Sequence, residues 1–130
     1  MQQSTPGPTL PEISDDYMRR ALSGARRYTI VVLKRGPAYD PPRSDAIIWE
    51  HARRNFALRA SGLLSIVCPI NDGSELAGTG IFDAEPDEVG WIMAGDPAVK
   101  AGVLTYEVHR TRGFPGDHLP QPDERDRTAG

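Results

Sequence analysis

The stretch Gly95-Asp96-Pro97-Ala98-Val99-Lys100-Ala101-Gly102 and the run after it constrain this chain most. Pro97 locks its own backbone and restricts Asp96 to extended or turn conformations, so the acid has a fixed direction. Gly102 permits a sharp entry into Val103-Leu104-Thr105-Tyr106-Glu107-Val108-His109-Arg110. That run alternates. Leu104, Tyr106 and Val108 fall on one face, and Thr105, Glu107 and His109 on the other, the pattern of a half-buried strand. The chain thus presents an acid in a structured turn between a helix and a strand.

Reading backwards from that turn gives the other elements. Pro86 at a first helical position, with Asp87 and Glu88 in the first turn, starts a helix that ends near Gly95. Ala77 to Phe82 is a strand thinned on one face by Gly78 and Gly80, which leaves room for a ligand or for close backbone approach. Asn71-Asp72-Gly73-Ser74 is a turn after a strand from Leu63 to Ile70. Ser44 or Asp45 caps a helix running to about Ala60, with Gly62 just past its end. Ile48, Ala52 and Phe56 share one side of that helix, taken as core. Glu50, Arg53 and Arg54 share the opposite side, taken as solvent, and His51 lies at the edge of the apolar stripe. Tyr28 to Lys34 is a buried, β-branched strand.

The order strand, helix, strand, strand, helix, strand is the split βαβ arrangement: an α+β, ferredoxin-like βαββαβ domain with a four-stranded antiparallel sheet and two helices on one face. The domain spans 26–112. Residues 1–25 form an N-terminal tail with a short helix, capped at Ser14-Asp15-Asp16 and ended by Gly24, and 113–130 form a flexible C-terminal tail. The other sheet face carries apolar positions and predicts a partner, most simply a homodimer closing sheet on sheet.

Composition bounds the function classes. A chain of 130 residues is one domain with a single core. A net charge of −3 gives no support to nucleic-acid or membrane-surface binding. No apolar run approaches the roughly 20 residues that span a bilayer. The polar, Pro-rich start has no signal-peptide pattern. A lone Cys68 excludes an intrachain disulfide and fits a cytoplasmic protein.

Few residues carry chemistry. Among the histidines, His51, His109 and His118 share no metal-ligand spacing, so no metal is expected. Gly78-Thr79-Gly80 lacks phosphate-loop spacing. No partnered Ser or Cys nucleophile is evident; Cys68 reads as a small buried residue. Asn55 lies one turn from His51 and can support it. Tyr28 offers a ligand hydroxyl or a core ring. Glu107 and His109 line either a cavity between protomers or a solvated strand face. Arg19, Arg20, Arg26 and Arg27 cluster as a solvated helix face or an anion grip. His51 and Asp96 have two readings from spacing alone: a helix-edge histidine and a turn-capping acid, or a matched pair.

From Tyr28 to about Arg112 the chain resembles the YCII-related (YciI-like) family of small dimeric α/β-barrel proteins. The residues carrying the resemblance are the strand exit Lys34-Arg35-Gly36-Pro37, His51 followed by Phe56, Leu58 and Gly62, and Asp96-Pro97 followed by Ala101-Gly102-Val103. Cys68-Pro69 departs from the family, where Gly-Pro is more usual, and alters the pocket beside it. The resemblance implies a ferredoxin-like protomer, a homodimer and an active site built on a His–Asp pair, at His51 and Asp96 here. Some relatives resemble muconolactone-isomerase-type enzymes and dehydrochlorinases that act on ring compounds.

A histidine oriented by a carboxylate is a general acid or base near neutral pH, because imidazole titrates at about 6.5. The expectation is a small-molecule enzyme of the isomerase or lyase type, without cofactor, moving a proton next to a carbonyl. The alternative is a non-catalytic dimeric module that binds a small molecule or regulates a pathway.

Overall fold

The computed structural model describes residues 7–123. The element order is α1 (Asp15–Ser23), β1 (Arg26–Arg35), α2 (Asp45–Ala60), β2 (Leu64–Pro69), β3 (Leu76–Phe82), α3 (Pro86–Ala94), α4 (Pro97–Lys100) and β4 (Leu104–Gly113). The strands form one antiparallel sheet in the order β2-β3-β1-β4. With α2 and α3 as the two crossovers, this is the ferredoxin-like arrangement of an α+β chain.

The central strand β1 and the edge strand β4 both run further than their apolar residues indicate. β1 takes in Arg26, Arg27 and Arg35, and β4 continues past Arg110 to Gly113, because the two strands pair without a break from Arg26↔Gly113 to Arg35↔Leu104. Backbone pairing in this ladder overrides the charge of the flanking arginines. The expected tail boundary at 113 accordingly falls on the last strand residue. The expectations for 1–6 and 124–130 lie outside the described residues.

The sheet has two unlike faces. Thr29, Val31 and Leu33 of β1 are buried and point toward the helices, with Gly78, Gly80 and Phe82 of β3 and Leu104 of β4. Val89 and Met93 of α3 and Ala98 of α4 close this core. Thr29 is a polar residue there, and its hydroxyl donates to the Ala84 carbonyl at 2.6 Å. On the opposite face Ile30, Val32, Ile66 and Ile81 are only half-buried. Lys34 pairs with Glu107 at 2.7 Å, and His109 lies 3.0 Å from the same carboxylate. The hydrogen bond from Lys34 holds the Glu107 carboxyl below its ordinary value, and the same bond raises Lys34.

Helix α1 forms where Ser14 accepts a hydrogen bond from the Tyr17 N–H at 3.0 Å, and Gly24 follows its end. None of its residues is buried, so Tyr17, Met18 and Leu22 stay exposed.

Helix α2 departs from its expected facing. Phe56 is 53% exposed, under the Arg59 guanidinium at 4.7 Å, and is not core. Ile48 and Ala52 are half-buried and line a cleft. The sheet below them carries Gly78 between the flanking Leu33, Val67 and Leu76, so the stripe covers an open cleft and not a continuous side-chain layer. Gly62 follows the helix at φ +87°. Ser44 occupies the N-cap position, but its hydroxyl accepts from the Asp40 N–H at 3.1 Å.

The Gly36–Pro37 exit from β1 packs directly on the turn that follows α4. The Gly36 N–H donates to the Val103 carbonyl at 2.8 Å and the Ala38 N–H to the Gly102 carbonyl at 2.9 Å. A Cβ on Gly36 would collide with the Gly102 carbonyl oxygen. Gly36→Ala is therefore expected to lower stability by about 1–3 kcal/mol, the cost of overpacking. Gly90 sits inside α3 with open space where a Cβ would go. Gly90→Ala is expected to raise stability by about 0.5–1 kcal/mol. Urea midpoints at constant m-value measure both.

Candidate functional site

The site begins with a helix start that the sequence reads only as a turn. Asp96 is the N-cap of α4, and its Oδ2 accepts from the backbone N–H groups of Ala98 at 3.0 Å and Val99 at 3.3 Å. Pro97 at the first helical position lacks an N–H of its own, as this position allows. The carboxylate is thereby fixed, and the residue is fully buried.

Its other oxygen faces α2. His51 Nδ1 lies 2.8 Å from Asp96 Oδ1. A carboxylate has no proton to give, so Nδ1 carries the hydrogen and donates it. That assigns the tautomer and leaves the Nε2 lone pair as the basic position. Asn55, one turn on, has its Nδ2 3.2 Å from Nε2 and donates to that lone pair. Arg54 Nη1 lies 3.8 Å from Asp96 Oδ1, and its guanidinium lies where a Cβ on Gly95 would come. Arg54 is thus not a purely solvent-facing residue, contrary to the sequence reading. Its position three residues after His51 places it on the same side of the helix, a signal outweighed there by its charge.

Burial pushes the Asp96 carboxyl up. The hydrogen bond and charge of His51 and the N–H groups of Val99 and Ala98 together outweigh that, and the net direction is down from 3.8. Each buried polar side-chain atom among the described residues has a hydrogen-bond partner.

His51 and Asn55 line a cleft of about 270 Å³ between α2 and the helix-side face of β2, β3 and β1. Its walls are mostly apolar: Leu33, Ile48, Ala52, Val67 and Leu76 contribute. Gly78 forms part of the floor, and a Cβ there would stand 3.1 Å from the Cys68 carbonyl. Cys68 and Pro69 also line the cleft. Arg35, Tyr39 and Asn71 line it as well, and none of them stands out as a site residue in the sequence. Their loops meet the cleft only through the packing of the β1 exit and the β2–β3 turn, which no local pattern encodes.

Tyr28 and Glu107 are placed elsewhere. Tyr28 lies at the far end of β1, opposite Thr111 and beneath Arg26 at 5.9 Å. Glu107 is on the open face with Lys34 and His109. Neither lines the cleft beside His51, because both alternate to the other side of the sheet. Among the described residues no group of three or more His, Cys, Asp or Glu side chains is placed to hold a metal ion. Likewise, no described helix is long and apolar enough to cross a membrane.

No family model matches the chain, and no curated protein matches it in sequence. Among solved structures it is similar to the crystal structure of a dimeric protein of unknown function with a ferredoxin-like fold from Bacteroides fragilis. The likeness has a TM-score of 0.47 at 14% identity, covering 69% of this chain and 97% of that one.

The pair has a pH signature. Asp96 is held below 3.8 in the folded chain and returns to its ordinary value on unfolding, so the unfolded chain binds more protons as the pH falls. Its stabilisation is complete above about pH 5 and is lost as the pH drops through the folded value. Asp96→Asn is expected to cost about 3–5 kcal/mol, the penalty for removing one partner of a buried pair. It is also expected to flatten the dependence of the urea midpoint on pH between about 3 and 5.

Proposed function

We propose that this chain is a small-molecule enzyme that moves a proton by acid–base catalysis, of the isomerase or lyase type, with His51 as the acid/base and Asp96 as the residue that orients it. One observation carries the reading. A buried carboxylate fixes one nitrogen of a histidine at 2.8 Å, while the ring borders an apolar cleft.

The chemistry follows from the hydrogen-bond directions. Nε2 takes a proton from a carbon next to a carbonyl, and the electron pair moves onto the carbonyl oxygen as an enolate. The new imidazolium is stabilised across Nδ1–H by the Asp96 carboxylate. Asn55 must then turn its amide, because Nε2 has changed from acceptor to donor. Returning the proton to a different atom completes an isomerisation. Loss of a leaving group from the neighbouring carbon completes an elimination. No covalent nucleophile is required in either case.

The measurement is deuterium uptake in D2O by a panel of enolisable ketones and unsaturated lactones, followed by proton NMR. The wild type is expected to exchange one C–H position in at least one member. His51→Asn is expected to slow that exchange by about 10²–10⁴-fold, the usual size of a general acid–base contribution. Undiminished exchange in His51→Asn would remove His51 from the role.

The chain works, in this reading, as a homodimer of the YCII-like kind that the sequence resembles, closed sheet on sheet. The half-exposed Ile30, Val32, Ile66 and Ile81 support it, since they form an apolar strip on a face that α2, α3 and α4 leave bare. Ile30→Glu places a charge in that strip. Sedimentation equilibrium is expected to give twice the chain mass for the wild type and the single-chain mass for Ile30→Glu, with the fold retained.

A second reading has its own observation. His51 Nε2 already accepts from Asn55 at 3.2 Å, as in a site built to hold a ligand and not to turn it over. A binding module of this kind would shift cleft resonances on titration with the same panel and exchange no deuterium.

A further inference from the structure

We infer that the cleft takes a small carboxylate with an apolar or aromatic body, and that Arg35 is the residue that receives its anionic end. The inference rests on the cleft beside His51 being the site and adds the class of molecule it selects.

The polar groups around the cleft are mostly committed. Thr79 donates its hydroxyl to the Val31 carbonyl at 2.9 Å. Asn55 is on His51, and His51 is on Asp96. Arg35 is different. It makes no ion pair among the described residues, and its guanidinium stacks 4.9 Å above the ring of Tyr39, which lines the same cleft. An aromatic face orients a guanidinium plane and leaves its positive charge unneutralised. The acid that feels this charge is Asp72, and there the hydrogen bonds from Ser74 dominate, with Arg35 the smallest contribution. A permanently charged fork is thus held at the rim of an apolar hollow without a carboxylate of its own.

The chemistry and size of the hollow narrow the ligand. A planar guanidinium matches a carboxylate in a bidentate fashion. About 270 Å³ lies just under the roughly 300 Å³ where drug-sized pockets begin, so the body is small. The walls from α2, β1 and β2 offer such a body aliphatic contacts. A carboxylate on Arg35 would anchor one end while a carbonyl-activated C–H elsewhere on the molecule meets Nε2. The handle and the reacting carbon are then separate groups, and a remote contact fixes the geometry at the base.

Benzoate is the probe, with benzyl alcohol as its uncharged counterpart. Both are titrated into the full chain, and backbone amide shifts of the cleft residues Ala52, Val67 and Ala77 are followed by NMR. Benzoate is expected to shift these resonances and benzyl alcohol to bind at least tenfold more weakly. Arg35→Ala is expected to weaken benzoate at least tenfold and leave benzyl alcohol unchanged. Arg35→Lys, which keeps charge but loses the fork and the stacking, is expected to fall between. Arg26→Ala, a stacked arginine at the far end of β1, is expected to bind benzoate like the wild type and controls for general charge.

Equal binding of benzoate to Arg35→Ala overturns the assignment, as does equal binding of the two probes to the wild type. Benzoate that shifts none of the cleft amides overturns it too. These outcomes are independent of deuterium exchange, so failure of the anion site and failure of proton transfer at His51 are told apart.

Discussion

The rest of the site depends on one buried carboxylate. Asp96 is inaccessible to solvent, and a charge in that position is tolerated only because three hydrogen bonds meet it. Two come from backbone N–H groups at the start of α4, and one from the His51 ring. The same group therefore starts a helix, ties α2 to the segment before β4, and sets which histidine nitrogen is basic. Removing it would leave two backbone donors and one imidazole N–H unsatisfied together. The short α4, only Pro97–Lys100, is too short to persist by itself and exists because this cap and its packing hold it.

Much of this architecture is legible in the residues. Proline after an acid, glycine before an alternating run, and helices with acidic starts fix the order of elements and the identity of the turn that matters. The facing of the last strand is legible as well, since Leu104, Tyr106 and Val108 alternate with polar residues, and Tyr106 does reach the Gly90 carbonyl of α3 at 3.4 Å. The pairing of His51 with Asp96 is not a matter of spacing, because 45 residues separate them. Its expectation came from family resemblance, and the distance between the two side chains is a property of the packed chain.

What was illegible has a common cause. The placement of Arg54, Phe56 and Arg35 is not contained in the charge and hydrophobicity of any one element. Phe56 continues the stripe of Ile48 and Ala52, yet at this point the helix overhangs a cleft with Gly78 in its floor, so the ring ends in solvent. Arg54 looks like a surface charge, yet Gly95 leaves it a seat beside the buried acid. Small residues on one element decide what large residues on another can do, and a single-element pattern contains no such information.

The two faces of the sheet divide the chemistry of the molecule. Strict alternation along β1 sends Leu33 to the cleft and Ile30 and Val32 to the open side, so neighbouring residues serve unrelated surroundings. The Lys34–Glu107–His109 cluster shares that open side and is solvated, whereas the Asp96–His51 pair is dry. Electrostatic coupling across water is weak and screened, and coupling in the interior is not. The side-chain hydrogen bonds of the His51 ring, to Asp96 and Asn55, lie on the cleft side of the sheet. A partner that covers the open face would therefore meet Lys34, Glu107 and His109, and not the Asp96–His51 pair.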